Sequence, residues 1–243
     1  MSGVRSTSCA FLAVVAVIGG NLLGSTARAA KATPSNPAIN PADFDSRVAH
    51  KYFTLEPGTK FTYRRETRNG TERVETVVLR ETKQVMGVTA TVVRETEWLN
   101  GKLIEDTRNW YAQDRSGNVW YFGEAVDNYK NGKIHDQEGS WEAGVKSATP
   151  AIVMLKDPKE GETFPQGSSE DLRTVVSLGA SVSVPQGKFE DCIKVRDWNK
   201  EEGPAVIKHK YFCAGLGYIA LKESGRTGAS SIERAELISI SRD

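Results

Sequence analysis

Hydrophobic and polar residues alternate along much of this chain with a period of two, which is typical of β-strands that are buried on one face. Residues 71–79 show this alternation. Three dipeptides that favour tight β-hairpins occur in the first half of the chain: Asn69-Gly70, Asn100-Gly101 and Asn131-Gly132. They separate strand-like stretches of about 8–12 residues, a spacing that indicates a meander of antiparallel strands.

Strand-like stretches resume in the second half of the chain, after a break at residues 150–165. They lie at residues 175–184, 189–198, 205–212, 218–222 and 232–240. We therefore predict a mainly β fold of about eleven to thirteen strands, an antiparallel meander curled into a barrel or half-barrel with one or two short helices. The helices are expected at residues 46–52 and 168–175, and a lid-like or edge excursion is expected near residues 141–170.

Residues 1–29 have the three parts of a cleavable secretory signal: a positive charge at Arg5, an apolar run at residues 9–20, and a small-x-small pattern at residues 27–29. The apolar run is shorter than the roughly 20 residues that span a bilayer. No later segment is apolar enough to be a transmembrane segment. We therefore predict an exported protein, periplasmic or secreted.

Residues 30–41 are rich in Pro, Ala and Asn and are expected to form a disordered leader, followed by a single β-barrel-like domain at residues 42–243. Removing residues 1–29 takes away Arg5 and Arg28 and no acidic residue, which leaves 30 basic and 31 acidic groups. This balance gives no electrostatic reason to expect nucleic acid or an anionic membrane as a partner.

Two cysteines follow the predicted signal, Cys192 and Cys213. If the chain between them turns about Glu202-Gly203, the two residues face each other across a strand pair at about 4.5 Å between Cα atoms, within the range of a disulfide. An oxidising compartment would close this bridge, with a stabilisation of about 3 kcal/mol in the chain-entropy description. The alternative is a pair of buried free thiols.

Five of the fifteen residues at 110–124 are aromatic, although only 8% of the chain is aromatic. In one interpretation, Trp110, Trp120 and Phe122 fill the core. Tyr111 and Tyr121 then lie on the opposite face of the sheet, as strand alternation dictates. The other interpretation places them around a ligand cavity inside an incompletely filled curved sheet, with Asp114 and Glu124 at its mouth.

Acidic residues and His135 are concentrated between residues 124 and 142, but their spacing does not match a metal loop, and a solvated face is favoured. Glu142, beside Trp141, is the member of this group most expected to be buried. Residues 114–118 resemble the start of a calcium loop without its later Gly and Glu, so a turn held by Asp114 is favoured. No nucleophile elbow or phosphate loop occurs, and we expect no metal and no cofactor.

Residues 110–114, 117–124 and 139–145 resemble segments of an uncharacterised family of secreted bacterial β-rich proteins with the motif Trp-Tyr-Ala-Gln-Asp-x-x-Gly-Asn-Val-Trp-Tyr-Phe-Gly-Glu. The resemblance covers about residues 43–240 and implies no known activity and no catalytic residues. In outline, an export signal followed by a curled antiparallel sheet is also similar to periplasmic lipoprotein carriers and lipocalin-like proteins. This second similarity is one of architecture, which is weak evidence for function.

Three functional hypotheses follow. The first is an exported binding or carrier protein for an apolar or amphipathic small molecule, with residues 151–155 as a lid. Its eight ligand-binding candidates are Trp110, Tyr111, Asp114, Trp120, Tyr121, Glu124, Trp141 and Glu142. The second is a periplasmic lyase or hydrolase that uses a carboxylate acid/base pair drawn from Glu124, Asp114 and Glu142, together with Tyr111 or Tyr121. The third is an envelope protein-interaction module that binds by strand addition.

Overall fold

The structure is a computed structural model that describes residues 39–166, 168–199, 201–203, 205–229 and 232–243, with only the backbone described at residues 168–170. The predicted signal lies outside the described residues, as does the predicted leader up to residue 38. The end of that leader joins the fold, because Asn40 accepts a hydrogen bond from the Ala42 amide at 3.3 Å and caps a 3-10 helix at Pro41–Asp43. Among the helices of this part of the chain, none has the length and apolar character needed to cross a bilayer.

The described residues form seventeen strands, ten of which have eight residues or more. The strands are β1 (Phe44–Asp45), β2 (Ala49–His50), β3 (Phe53–Thr54), β4 (Thr59–Thr67), β5 (Gly70–Val85), β6 (Val88–Leu99), β7 (Lys102–Asp114), β8 (Val119–Lys130), β9 (Lys133–Asp136), β10 (Trp141–Glu142), β11 (Ala151–Met154), β12 (Thr163–Gln166), β13 (Ser168–Val184), β14 (Gly187–Asn199), β15 (Val206–Cys213), β16 (Ile219–Arg226) and β17 (Glu233–Arg242).

Two antiparallel meanders make up the main sheet. One runs from β4 to β8 and the other from β12 to β17, and they join where β17 pairs with β4, with Leu237 opposite Tyr63. The full order is β10-β8-β7-β6-β5-β4-β17-β16-β15-β14-β13-β12, while β1 pairs with β7 and both β9 and β11 pair with β8. Strands β2 and β3 form a separate hairpin. The predicted mainly β, antiparallel fold is confirmed.

The two ends of the sheet approach each other through side chains. Strand β11 lies along β8. The carbonyl of Ile152 accepts a hydrogen bond of 2.6 Å from Gln166 Nε2, and the carbonyl of Val153 accepts one from Arg173 Nη1. The strand order of the described residues is therefore open, with no backbone ladder between β11 and β12. The predicted excursion near residues 141–170 includes two edge strands, because β10 and β11 both pair with β8. The strands at the sheet ends have four residues or fewer, but β12 pairs only with residues 168–174 of β13, so the rest of β13 has no ladder on that side within the described residues.

Both predicted helices are wrong. Residues 168–175 belong to the long strand β13, where Thr174 pairs with Arg196 of β14. Residues 46–52 contain β2 and the turn of the β2–β3 hairpin. In both segments, pairing with a distant or neighbouring strand outweighs a weak local preference for helix.

The predicted hairpin turns form, one of them shifted by a residue. Asn100-Gly101 and Asn131-Gly132 are the central pairs of two-residue turns, and both residues of each pair have positive φ. Between β4 and β5, however, Thr67 pairs with Gly70, so the central pair is Arg68-Asn69. Gly70 is needed at its position because a Cβ there would lie 2.1 Å from the side-chain oxygen of Asn100.

Buried side chains lie on both faces of the first meander. The inner face, toward the second meander, belongs to the main core, which includes Tyr111, Tyr121, Val93 and residues from the second meander such as Ile193 and Phe212. The outer face carries a second cluster of Val85, Val88, Ala90, Val92, Trp110, Ala112, Trp120, Phe122 and Ala143. Phe44 of β1 covers this cluster with its ring 5.9 Å from Trp120 and 5.4 Å from Phe122.

The predicted disulfide joins Cys192 of β14 to Cys213 of β15. The two residues are direct register partners with 3.9 Å between their Cα atoms, as the predicted hairpin requires. A covalent link across 21 residues of sequence limits the freedom of the unfolded chain and stabilises the fold by about 3 kcal/mol.

Candidate functional site

Four glutamates lie side by side on the inner face of β6, β7 and β8. Glu97 and Glu105 are direct cross-strand partners, and Glu95 lies two residues from Glu97 on the same strand face. Glu124 follows on β8, where it pairs with Asn109 of β7. All four are buried, with between 1% and 4% of each residue exposed. We call Glu95, Glu97, Glu105 and Glu124 the interior acidic cluster.

A bulge in β8 brings Glu124 to the inner face. Residues 121 and 124 are an odd number of positions apart, so a regular strand would point them to opposite faces. The register shifts between Tyr111, which pairs with Tyr121, and Trp110, which pairs with Gly123, and this returns Glu124 to the face of Tyr121. Gly123 has φ +129°, and a Cβ there would lie 2.3 Å from the carbonyl oxygen of Trp141. Glycine at this position thus permits both the bulge and the close approach of β10.

Burial shifts the acidity of all four carboxyl groups. Loss of hydration raises the pKa of Glu95 to about 7, although Lys222 and a hydrogen bond of 3.1 Å from Thr76 Oγ1 oppose the shift. The same cause raises the pKa of Glu124 to about 8, against the hydrogen-bonding groups of Tyr121 and Trp141. Burial and the neighbouring glutamates raise the pKa of Glu97 well above its usual range, and burial raises the pKa of Glu105. Burial therefore shifts all four carboxyl groups toward their protonated form.

The second meander brings cations to the same interior. Lys222 of β16 is the positive charge that most favours ionisation of Glu95, Glu97 and Glu105. Lys210 of β15 lies further along and pairs with the buried Asp197 at 2.8 Å.

Arg173 of β13 is the third cation that the second meander brings to the interior, after Lys222 and Lys210. It is 1% exposed and donates two hydrogen bonds to Asp197, of 2.6 and 2.8 Å, and a third to the carbonyl of Val153. Arg173 and Lys210 together hold the pKa of Asp197 well below its usual range despite its burial. Asp197 is thus an ionised carboxylate, unlike the glutamates of the interior acidic cluster.

Three buried tyrosines border the acidic cluster. Tyr111 stacks on Tyr121 with ring centres 4.9 Å apart, and the Tyr121 hydroxyl donates a hydrogen bond of 2.6 Å to Asn109. Tyr218 approaches from the second meander, and its hydroxyl and that of Tyr111 interact with each other but have no other hydrogen-bond partner within the described residues. Two carboxyl oxygens lack any partner there, Oε1 of Glu97 and Oε2 of Glu124. Burial raises the pKa of all three phenols, so they remain neutral.

The β2–β3 hairpin covers the tyrosine side of the interior. Its Phe53 ring lies 5.3 Å from Tyr111 and 5.4 Å from Tyr218. The hairpin is tied to the sheet at the surface, because Lys51 pairs with Asp191 at 2.7 Å and the Tyr52 hydroxyl donates to the same carboxylate at 2.9 Å. Further hydrogen bonds join the hairpin to Gln113, Lys156 and Gly215. One small element therefore closes this side of the interior.

Half of the eight predicted site residues meet in the interior. Tyr121 is edge-on to Trp141 at 5.4 Å, and Trp141 Nε1 donates to Oε1 of Glu124 at 3.3 Å, while Tyr111 stacks on Tyr121. The other four residues lie on the outer side: Trp110, Trp120, Asp114 and Glu142.

Asp114 and Glu142 have local partners on this outer side. Asp114 accepts hydrogen bonds from the amide and side chain of Asn118 and from Trp120 Nε1, which confirms the predicted turn. Glu142 pairs at 3.3 Å with Lys83, whose ammonium lies 5.1 Å from the Trp110 ring centre. Neither carboxylate therefore forms an acid/base pair with Glu124.

Sequence reasoning missed Glu95, Glu97 and Glu105. Residues 94–97, Arg-Glu-Thr-Glu, have the polarity of a solvated strand. The one signal in the sequence is that Glu95 and Glu97 share a strand face with the apolar Val93.

A separate surface groove of about 420 Å³ lies between β4 and β17. It is lined by charges of both signs, including Arg64, Arg234, Glu66 and Glu236, and by none of the predicted site residues. No group of three or more His, Cys, Asp or Glu side chains within the described part of the chain has the arrangement of a metal site.

No protein-family model matches the chain, and no curated protein matches it. Two solved structures share part of its arrangement. One is a protein from Bacteroides fragilis NCTC 9343, provisionally described as exported with a YmcC-like fold: it is 15% identical with a TM-score of 0.45, over 80% of this chain and 100% of that chain. The other is provisionally described as a lipoprotein, from Parabacteroides distasonis ATCC 8503: it is 10% identical with a TM-score of 0.42, over 79% of this chain and 99% of that chain. No residue role is transferred from either protein.

Proposed function

We propose that this protein is an exported binding or carrier protein whose ligand is an amphipathic small molecule held inside the curled sheet. One observation carries the proposal: among the described residues, two buried carboxyl oxygens lack a hydrogen-bond partner, and two neighbouring buried tyrosine hydroxyls have no partner but each other. They are Glu97 Oε1, Glu124 Oε2, Tyr111 Oη and Tyr218 Oη. Buried polar groups in folded proteins nearly always have a partner, which is a protein group, a water molecule or a ligand. A group of unpartnered atoms is therefore a reason to expect an occupant.

The surroundings of these atoms favour a ligand that is apolar over most of its surface. The rings of Phe53, Tyr111, Tyr121 and Trp141 lie in contact along one side of the interior. Binding sites for small molecules are commonly apolar with a few polar groups that fix orientation. The carboxyl and phenol groups, which are neutral here, offer both hydrogen-bond donors and acceptors to the ligand's polar end.

Entry past the β2–β3 hairpin is the route that the contacts favour. The Lys51–Asp191 pair and the Tyr52–Asp191 hydrogen bond are exposed. Opening the hairpin would break these exposed contacts and the hydrogen bonds to Gln113, Lys156 and Gly215, and it would expose Phe53. Such a local opening costs less than global unfolding because the sheet stays paired.

A displacement titration tests the proposal. N-phenyl-1-naphthylamine, a fluorescent apolar probe, is expected to bind saturably at one site, and decan-1-ol is expected to displace it. In a Tyr111→Phe/Tyr218→Phe variant the affinity for decan-1-ol should fall about fivefold, because one or two hydrogen bonds to its hydroxyl are lost. The variant should fold normally, because it removes both members of the Tyr111–Tyr218 hydroxyl pair together and leaves neither group without its partner.

Tyr211→Phe is the matched control, because it removes a phenol that is bonded to Glu223 outside the interior. Decan-1-ol should displace the probe from this control as it does from the unmodified protein. Absence of saturable probe binding, or binding that decan-1-ol does not displace, would contradict the proposal and would leave water as the partner of the buried atoms.

A further inference from the structure

We infer that the polar end of the ligand is an organic ammonium group, bound by the interior acidic cluster in place of protons; this inference rests on the proposed function. The proposal above requires only a polar end of some kind. The interior acidic cluster specifies its charge, because glutamates outnumber the nearby cations that remain to neutralise them.

The charges that face the cluster come from six other strands. On β16, Lys222 faces Glu95, Glu97 and Glu105. Lys210 of β15 and Arg173 of β13 both bond Asp197 of β14, so their charges are already shared with a carboxylate. Arg65 of β4 pairs with Glu72 of β5. A cluster of four carboxyls thus faces Lys222 and two cations that Asp197 already shares.

Two ways of relieving this excess of carboxyl groups are open to the protein. In the absence of a ligand, protons neutralise the glutamates. Protonation matters most at Glu97 and Glu105, because directly opposed carboxylates repel each other. An ammonium group supplies the missing positive charge instead, and it donates up to three hydrogen bonds to acceptor oxygens. Each glutamate proton that is replaced passes to solvent as the ammonium binds, so charge and protons balance.

The buried tyrosines provide a second and independent indication. The hydroxyls of Tyr111 and Tyr218 are fully buried, have no hydrogen-bond partner but each other within the described residues, and are close to Glu95. Their oxygens are further acceptors for an ammonium, and the stacked rings of Tyr111 and Tyr121 attract a cation to their faces. A bare metal ion fits less well, since no group with the arrangement of a metal site occurs in the part of the chain that is described.

Decylammonium and decan-1-ol form a matched pair of probes, because they differ only in the polar end. We expect decylammonium to displace N-phenyl-1-naphthylamine at lower concentration than decan-1-ol at pH 8. Its affinity should rise with pH between 5 and 7, by about tenfold per pH unit where one proton is released for each ligand bound. Titration calorimetry in buffers of different ionisation enthalpy should show that release directly.

Glu97→Gln keeps the shape of the protonated side chain and cannot ionise, so it should weaken decylammonium binding and flatten its pH dependence. Glu81→Gln is the control, because Glu81 is 57% exposed and pairs with Arg108 away from the interior. The wild-type calorimetry decides the matter even if Glu97→Gln does not fold. Binding of decan-1-ol and decylammonium with equal affinity and no proton release would overturn the ammonium inference and leave the proposed function standing. Failure of both compounds to bind would overturn the two together.

Discussion

Replacing Arg173 with methionine is expected to lower the free energy of unfolding by about 3–5 kcal/mol. Arg173 is 1% exposed, and its guanidinium bonds both oxygens of Asp197 and the carbonyl of Val153. Methionine fills similar space but leaves the buried carboxylate of Asp197 with Lys210 as its remaining ion-pair partner. It also removes the side-chain bond that joins β13 to β11, where the sheet has no backbone ladder within the described residues. Equilibrium urea unfolding of the oxidised protein measures the difference.

Arg234→Met is the matched control. The Arg234 side chain is 43% exposed and bonds Glu236 at 3.1 Å on the surface, so its loss should change the free energy of unfolding by less than about 1 kcal/mol. If Arg173→Met were as stable as this control, Arg173 would not be holding the two ends of the sheet together.

The stability of the protein is expected to fall as the pH rises from about 5 to 8 because of the interior acidic cluster. Burial raises the pKa of Glu95 to about 7 and of Glu124 to about 8, whereas an unfolded chain releases these protons near the usual value of 4.5. Between these pH values the folded state binds more protons than the unfolded state, so the free energy of unfolding decreases with pH. Each such group contributes about 1.4 kcal/mol per pH unit within its window.

Glu124→Gln isolates one of these contributions. Glutamine imitates the protonated carboxyl and does not titrate, so the stability difference between the variant and the unmodified protein should shift in favour of the variant by about 1.4 kcal/mol per pH unit from pH 5 to 8. Burial lowers the pKa of His50, which makes stability fall toward acid pH in both proteins and therefore cancels in the difference. Urea unfolding at four pH values gives that difference. A constant difference from pH 5 to 8 would mean that Glu124 is ionised in the folded protein.

Local sequence signals predicted the hairpins and the disulfide because their physical causes lie within a few residues. Asn100-Gly101 and Asn131-Gly132 adopt the positive φ angles that a two-residue turn needs. Cys192 and Cys213 meet because one hairpin fixes their register. The turn at Asn69-Gly70 is displaced by one residue since the Asn100 side chain, from another hairpin, packs against Gly70.

The candidate site was harder to predict because it depends on what covers each face of the sheet. Alternation separated Trp110 from Tyr111 correctly, but it could not show that both faces are buried. Glu95 and Glu97 have the polar pattern of a solvent-exposed strand. Their face of the sheet is buried only because the second meander covers it and places Lys222 opposite them. Glu124 reaches the same face through the bulge at Gly123, and no period-two pattern includes a bulge.

Native mass spectrometry of the protein purified under mild conditions from its own host tests most directly whether the interior has an occupant. We predict a mass above that of the oxidised mature chain by one constant small-molecule increment, which is lost on denaturation and is present in a smaller fraction of the Tyr111→Phe/Tyr218→Phe variant. A single species at the mass of the polypeptide alone would contradict the proposal. Water would then be the hydrogen-bond partner of the buried groups of Glu97, Glu124, Tyr111 and Tyr218.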